Sequence, residues 1–147
     1  MNDDFFILNK PYEKKEGTAC FAPYVRISIC PLMGQKTDVF FDARIDTGAD
    51  ITCIPKAYAN TLGPLILGNP IKVRGHDGSI KRVWTYRMIV SLQGYPDESY
   101  KKDYRPEKGI LITDSSIGLI GMDVISDYWK LAFDSSSRDF CVKFANG

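Results

Sequence analysis

From Tyr24 to Ile29 apolar and polar side chains alternate with period two, the pattern of a half-buried β-strand. Short β-type runs recur along most of the chain, separated by turns. Val39 to Ile45 is a second strand, which runs directly into Asp46-Thr47-Gly48-Ala49-Asp50. Ile51 to Ile54 follows as a short buried strand. Pro55 then suits the start of one or two helical turns over Lys56 to Leu62, because its missing N–H costs nothing there. Ile71 to Val73 and Ser79 to Trp84 flank Arg74-Gly75-His76-Asp77-Gly78, and Asp-Gly between β-rich arms predicts a hairpin. Tyr86 to Leu92 reads as a further strand, Gln93 to Lys108 as an exposed polar loop, and Gly109 to Thr113 as a buried strand. Gly118 to Gly121 is apolar and flexible. Met122 to Trp129 is the best helix: Met122, Ile125, Ser126 and Trp129 share a face, and Asp123 lies in the first turn. Lys130 to Asp134 and Phe140 to Phe144 form a C-terminal hairpin around Ser135-Ser136-Ser137.

A chain of 147 residues suits one domain with its own core. No repeat, low-complexity segment or internal linker divides it. A net charge of +1 points to neither nucleic acid nor an anionic membrane, and no apolar run approaches the roughly 20 residues that span a bilayer. The acidic start Met1-Asn2-Asp3-Asp4 is unlike a secretory leader, so a cytoplasmic setting is expected. Cys20, Cys30, Cys53 and Cys141 contain no Cys-x-x-Cys pair, and His76 is the single histidine. These residues favour no metal site, and four free thiols are expected. One histidine in a Gly-rich turn also argues against Ser-His-Asp or Cys-His catalysis.

Asp46 is the candidate catalytic group. Asp-Thr-Gly is a common tripeptide and could be a polar turn, but here it lies between two apolar strands. A carboxylate at that point is held by rigid backbone, Thr47 can hydrogen-bond to a neighbouring loop, and Gly48 lets backbone approach closely. Two further features accompany it. The Gly-bounded hairpin Arg74, Gly75, His76, Asp77, Gly78 can close over a cleft. The run Leu119-Ile120-Gly121-Met122-Asp123 before a helix can pack behind the carboxylate loop.

Taken in this order, the three features resemble the retropepsin-like aspartic proteases, the single-domain bacterial members above all. Ile45 to Pro55 is similar to that family's catalytic segment and Leu119 to Ile125 to its second signature; the likeness covers roughly residues 22 to 144. It implies an all-β fold, a closed β-barrel with one short C-terminal helix, forming a single domain over 1–147. It also implies an aspartic endopeptidase that needs no cofactor. Asp46 would be catalytic, with Thr47, Gly48, Ala49 and Asp50 in its loop. Residues 74–78 would be a flap, and Leu119, Ile120, Gly121 and Asp123 the second signature. Two departures stand out. Met122 occupies the position where retroviral members carry a base paired with the acid equivalent to Asp50, and Gln93 to Lys108 is long.

The chemistry needs two carboxylates sharing a proton. Asp114-Ser115-Ser116 and Asp134-Ser135-Ser136 both lack the glycine of the motif. A homodimer acting on a peptide or protein substrate is therefore expected, with Phe5 to Leu8 and Phe140 to Phe144 as candidates for a shared sheet. The alternatives are an inactive peptide-binding or dimerisation module of the same fold, and an unrelated β-barrel binding protein.

Overall fold

The computed structural model describes residues 5–32, 38–75, 77–93 and 103–145. Eleven strands and two short helices follow one another: β1 Phe5–Pro11, β2 Tyr24–Pro31, β3 Val39–Ile45, β4 Cys53–Pro55, α1 Lys56–Ala59, β5 Ile66–Arg74, β6 Ile80–Leu92, β7 Asp103–Tyr104, β8 Leu111–Thr113, β9 Gly118–Ile120, α2 Met122–Tyr128, β10 Trp129–Asp134 and β11 Asp139–Ala145. The chain is mostly β. No helix is long and apolar enough to cross a membrane. Residues 94–102, the greater part of the expected polar loop, and His76 lie outside the described residues.

The strands form two sheets. The larger runs β5-β6-β2-β3-β9-β4-β8, with β7 beside β6. Strand β2 is central to it, so it is buried almost throughout rather than on one face: Val25, Ile27 and Ile29 are enclosed, and so is Ser28, whose hydroxyl receives the Gln93 side-chain amide at 3.2 Å. β3 keeps a strict alternation, with Phe41, Ala43 and Ile45 inward. The core joins these residues to Ile54, Val90, Leu92, Ile110, Ile120 and Val124, all inaccessible or nearly so.

The expected closed barrel is not formed. The six strands from β6 to β8 curl round until Ile110, just before β8, meets Tyr86 of β6 in an isolated bridge. That single residue pair does not make a ladder. β8 has only three residues, and they are committed to parallel pairing with β4, so too little strand remains to complete the ring.

Three local expectations also change. Ser79 to Leu92 was expected to break near Thr85, but β6 is one 13-residue strand. It pairs with β5 along its first part and with β2 along its last. Thr85 sits where the β5–β6 register shifts, fully buried, its hydroxyl shared between the carbonyls of Asn69 and Lys108. Gly118 to Ile120 is a strand rather than a flexible run, lying parallel to β3. A Cβ at Gly118 would come within 2.4 Å of the Phe41 ring, so only glycine lets β9 lie this close. α2 ends at Tyr128, and Trp129 opens β10, buried with its ring edge-on to Tyr104.

The smaller sheet has the order β1-β11-β10. The two segments expected to contribute to a sheet shared with a second chain pair with each other within this one, from Phe5 opposite Ala145 to Pro11 opposite Asp139. All four cysteines are free thiols.

The segment between β1 and β2 is tied down by charge. Lys15 Nζ contacts Asp42 at 2.7 Å, and Arg26 lies 3.6 Å from the same carboxyl. Burial pushes the Asp42 carboxyl up, but the hydrogen bond and charge of Lys15, with Arg26 behind it, outweigh burial and hold it below the ordinary 3.8. A lowered carboxyl stabilises the fold fully above its unfolded value and loses that contribution as pH falls through the folded one. Asp42→Asn should therefore cost about 0.5–1 kcal/mol at neutral pH. In paired urea titrations its deficit against the parent should stay level above pH 3.8 and shrink below it.

Candidate active site

Strands β3 and β4 lie on either side of β9, so the loop between them must turn around the end of that strand. Asp46 stands at this turn. Its N–H donates to the Ile120 carbonyl at 2.9 Å, continuing the β3–β9 register by one residue. Its Oδ1 accepts the Gly48 N–H at 2.9 Å, and the Asp46 carbonyl accepts Ala49 N–H at 3.2 Å. A Cβ on Gly48 would sit 3.2 Å from that carboxylate oxygen, crowding it. Asp46 is half-buried, with Thr47 and Gly48 exposed beside it. The Thr47 hydroxyl has no hydrogen bond among the described residues.

The loop is fixed from behind by the second signature. Met122 N–H donates to the Ala49 carbonyl at 2.8 Å. Asp123 grips Thr52 with both carboxylate oxygens, accepting its N–H at 3.0 Å and its hydroxyl at 2.7 Å. The same hydroxyl accepts the Gly121 N–H at 3.1 Å. Thr52 is fully buried, so its polar atoms must be paired within the protein, and they are. Gly121 is required here by space: a Cβ would lie 2.6–2.9 Å from the backbone of Ile51 and Ala49. Leu119 faces Arg44 and Cys53 across the sheet, while Ile120 is wholly buried opposite Ile45. The expected residues 46–50, 119–121 and 123 are thus brought together.

Beside the loop opens a cleft of about 940 Å³. Gly48 to Ile51 form one wall, Asn69 to Arg74 of β5 the opposite one, and Met122, Asp123 and Ser126 of α2 one end. Asp46 is at the rim of this cleft rather than in its lining. Asp50 is exposed within it and makes no ion pair among the described residues; Met122 lines one end of the cleft and packs against the core.

The hairpin of β5 and β6 holds its pairing out to Arg74 opposite Ile80. Gly75 N–H then bonds the Ser79 carbonyl at 2.8 Å, and Gly78 takes a φ of +83°, a left-handed conformation that suits glycine. Asp77 Oδ1 accepts both the hydroxyl and the N–H of Ser79, which lowers its carboxyl. Of the expected flap residues only Arg74 reaches the cleft of a single chain; the tip at Gly75, Asp77 and Gly78 stands beyond it.

The charged and thiol groups of the cleft include some whose place there the sequence did not show. Lys72 and Lys108 bring positive charge to the walls, and nothing in their surroundings in the chain distinguishes them from other surface lysines. Cys53 lies on the wall near both carboxylates. Burial first, then the charges of Asp123 and Asp46, push its thiol up to about 11, so it stays protonated at neutral pH. Thr52 also went unnoticed; a threonine inside an otherwise apolar strand is the signal that a buried polar partner exists elsewhere.

Replacing Gly121 by alanine should force the Asp46 loop away from α2 and destabilise the fold by about 1–3 kcal/mol. Thr52→Val should cost about the same, because it leaves the buried Gly121 N–H without its acceptor and takes the hydroxyl from Asp123 Oδ1. Chemical denaturation of the two single variants and the double variant checks this. The double should cost clearly less than the sum, since both changes disturb one network.

No known family pattern matches the chain, and no curated protein matches it. Sixteen chains of solved structure do match. Among them the chain is similar to an EIAV protease complexed with the inhibitor HBY-793, with 20% identity and a TM-score of 0.46, over 78% of this chain and 93% of that one.

Proposed function

We propose that this chain is one half of an aspartic endopeptidase of the retropepsin type. In this reading Asp46 supplies one carboxylate and Asp46 of the partner subunit supplies the other. The observation that carries it is the way Asp46 is held. A half-buried carboxylate sits on a turn locked to two strands, one oxygen fixed by the Gly48 N–H and the other unengaged among the described residues, beside a cleft of about 940 Å³.

Two such carboxylates about 3 Å apart cannot both ionise, so the pair shares one proton. The ionised member takes a proton from a water held between them. The protonated member donates to the oxygen of the scissile carbonyl as the water oxygen attacks its carbon. The tetrahedral intermediate then collapses as the amide nitrogen receives a proton and leaves. The exposed Thr47 is placed to reach the partner's loop, and the β5–β6 hairpin, whose tip stands clear of its own cleft, is suited to cover the joint site and exclude water. Asp50, Lys72, Arg74 and Lys108 supply polar contacts for substrate backbone and side chains along the cleft.

Asp46→Asn is nearly isosteric and should abolish cleavage of an unfolded protein while leaving thermal stability near that of the parent. Mixed in excess with wild-type chain, it should reduce activity below simple dilution, following the surviving fraction of wild-type homodimers. Specific activity of the wild type alone should fall on dilution. An Asp46→Asn protein that still cleaves would show that Asp46 is not catalytic, and one that merely dilutes the signal would show that a single chain carries the whole site; persistent peptide binding without cleavage in the wild type would favour the peptide-binding module.

The pH profile gives a separate check. One carboxylate must hold a proton and the other must lose it, so activity should peak on the acid side of neutrality and decline on both flanks. A rate that climbs steadily into alkaline pH excludes this mechanism.

A further inference from the structure

The hairpin of β5 and β6 concentrates the chain's positive charge. From Ile66 to Arg87 it holds Lys72, Arg74, Lys81, Arg82 and Arg87 against Asp77 alone, a net +4 with His76 neutral. The whole chain carries +1, so the remainder is −3. The register sorts these charges by face. Pro70 stands opposite Trp84, Lys72 opposite Arg82, and Arg74 opposite Ile80, and directly paired residues of an antiparallel ladder share a face. Over these pairs that face holds three cations and no acid. Lys72, Arg74, Ile80, Arg82 and Trp84 are all exposed on it, Trp84 by 51% and Ile80 by 60%. On the other face Ile71, Val73 and Val83 are half-buried.

The fold gains nothing from this arrangement. Like charges directly across an antiparallel pair destabilise it, and Lys72 opposite Arg82 is such a pair, with Arg74 one step along the same face. No hydrogen bond or ion pair engages Lys72, Arg74 or Arg82 among the described residues. An anion lying on the face relieves the repulsion. Two openings border it: Lys72 and Arg74 line the cleft beside the Asp46 loop, and Trp84 lines a second groove of about 730 Å³ shared with α1 and β8. Alternate side chains of an extended peptide repeat about every 6.6–6.8 Å, which is also the spacing of Lys72 and Arg74 along their strand. Carboxylates at alternate positions can each meet a cation, and the exposed Trp84 ring offers a surface to an aromatic neighbour. An anionic lipid surface matches less well, because the projecting tip carries Asp77, whose carboxyl the Ser79 hydroxyl and N–H hold below its ordinary value and so ionised. Single-stranded nucleic acid would meet net negative charge on the rest of the chain.

We propose that this face, with Lys72, Arg74 and Arg82 beside Trp84, binds an extended acidic segment of polypeptide that has carboxylates at alternate positions and an aromatic residue among them. The proposal rests on the proteolytic reading of the cleft and names its substrate class: proteins with an acidic stretch flanking the bond that is cut. The acidic stretch lies on the hairpin while the bond lies at Asp46. Arg82 is then a specificity residue that takes no part in the chemistry.

Binding is measured by fluorescence anisotropy on the full chain carrying Asp46→Asn, so that it does not depend on catalysis. The probes are two labelled peptides of equal length, one alternating Glu and Tyr, the other alternating Gln and Tyr. The acidic peptide should bind roughly tenfold tighter, and added salt should narrow the gap. Arg82→Glu should remove the preference. The same substitution sets an acid opposite Lys72, so the melting temperature should rise as binding is lost; a purely structural role for Arg82 predicts a fall. With Asp46 intact, Arg82→Glu should raise KM and leave kcat unchanged for a substrate flanked by the acidic stretch. Equal binding of the two peptides, or an Arg82→Glu chain that keeps the preference, overturns the acid-binding face. So does displacement of the acidic peptide by oligo(dT), or by vesicles containing phosphatidylserine, as readily as by unlabelled acidic peptide. If the face fails in this way while Asp46-dependent cleavage persists, only the substrate class is wrong. If the preference holds and the wild type cleaves neither substrate, the face stands and the proteolytic reading falls.

Discussion

The Asp123 carboxylate holding buried Thr52 is the contact on which the candidate site depends. Both oxygens are used, one on the Thr52 N–H and one on its hydroxyl, and that hydroxyl in turn receives Gly121 N–H. Three chain segments are thereby fixed to one another: the return from the Asp46 loop, the end of β9, and the start of α2. The bonds are sheltered, and a charge-assisted hydrogen bond in low dielectric is stronger than its solvated equivalent. The cost is that each member is indispensable to the rest. Without Asp123 two buried Thr52 groups lose their acceptor, and without Thr52 a buried amide loses its own. The glycine completes the device sterically, because only a residue without Cβ lets the loop backbone come this near. Asp46 itself makes few contacts; its position is inherited from this clamp and from its one bond to Ile120.

Local chemistry made much of this legible in advance. β3 begins and ends where the alternation of Val39 to Ile45 does, because one of its faces is buried and the other is not. α1 begins immediately after Pro55, and the turn at Asp77-Gly78 forms where the Asp-Gly signal stands, with Gly78 at positive φ. The C-terminal hairpin turns at its serines, capped by Asp134. In each case the deciding interactions lie within a few residues of one another.

What was not legible depends on partners distant in sequence. β9 is three residues long and carries no periodicity to read; it is a strand because β3 and β4 flank it. β6 continues through Thr85 because that hydroxyl finds two carbonyls from separate segments. Asp123 reads as a favourable acid in the first turn of a helix, which it is, but its main partner lies 71 residues away. The barrel failed to close for a similar reason: closure is decided by how many residues of β8 remain beyond its pairing with β4, and only Ile110 reaches β6. Two residues of the site, Asp46 and Gly121, were found because their neighbours form a recognisable ordered set. Thr52, which joins them, was not, because a lone threonine in an apolar strand has the same appearance whether its hydroxyl is structural or incidental.

The arrangement of the smaller sheet bears on how a site of this kind can be shared. Because β1 and β11 satisfy one another within a chain, assembly does not require exchanging terminal segments; each chain can complete its own three strands before it meets another. Self-association is then a meeting of preformed edges, and its cost is confined to translational and rotational freedom and a few side chains rather than the folding of a tail. If the reactive pair forms only when two chains meet, as proposed, a dilute chain would hold one carboxylate and no dyad, and dilution would be a form of control. The clamp from Asp123 through Thr52 to Gly121 lies inside one chain, whereas the proton sharing proposed for Asp46 would lie between two. On the proposed function, stability and activity would be set by different contacts.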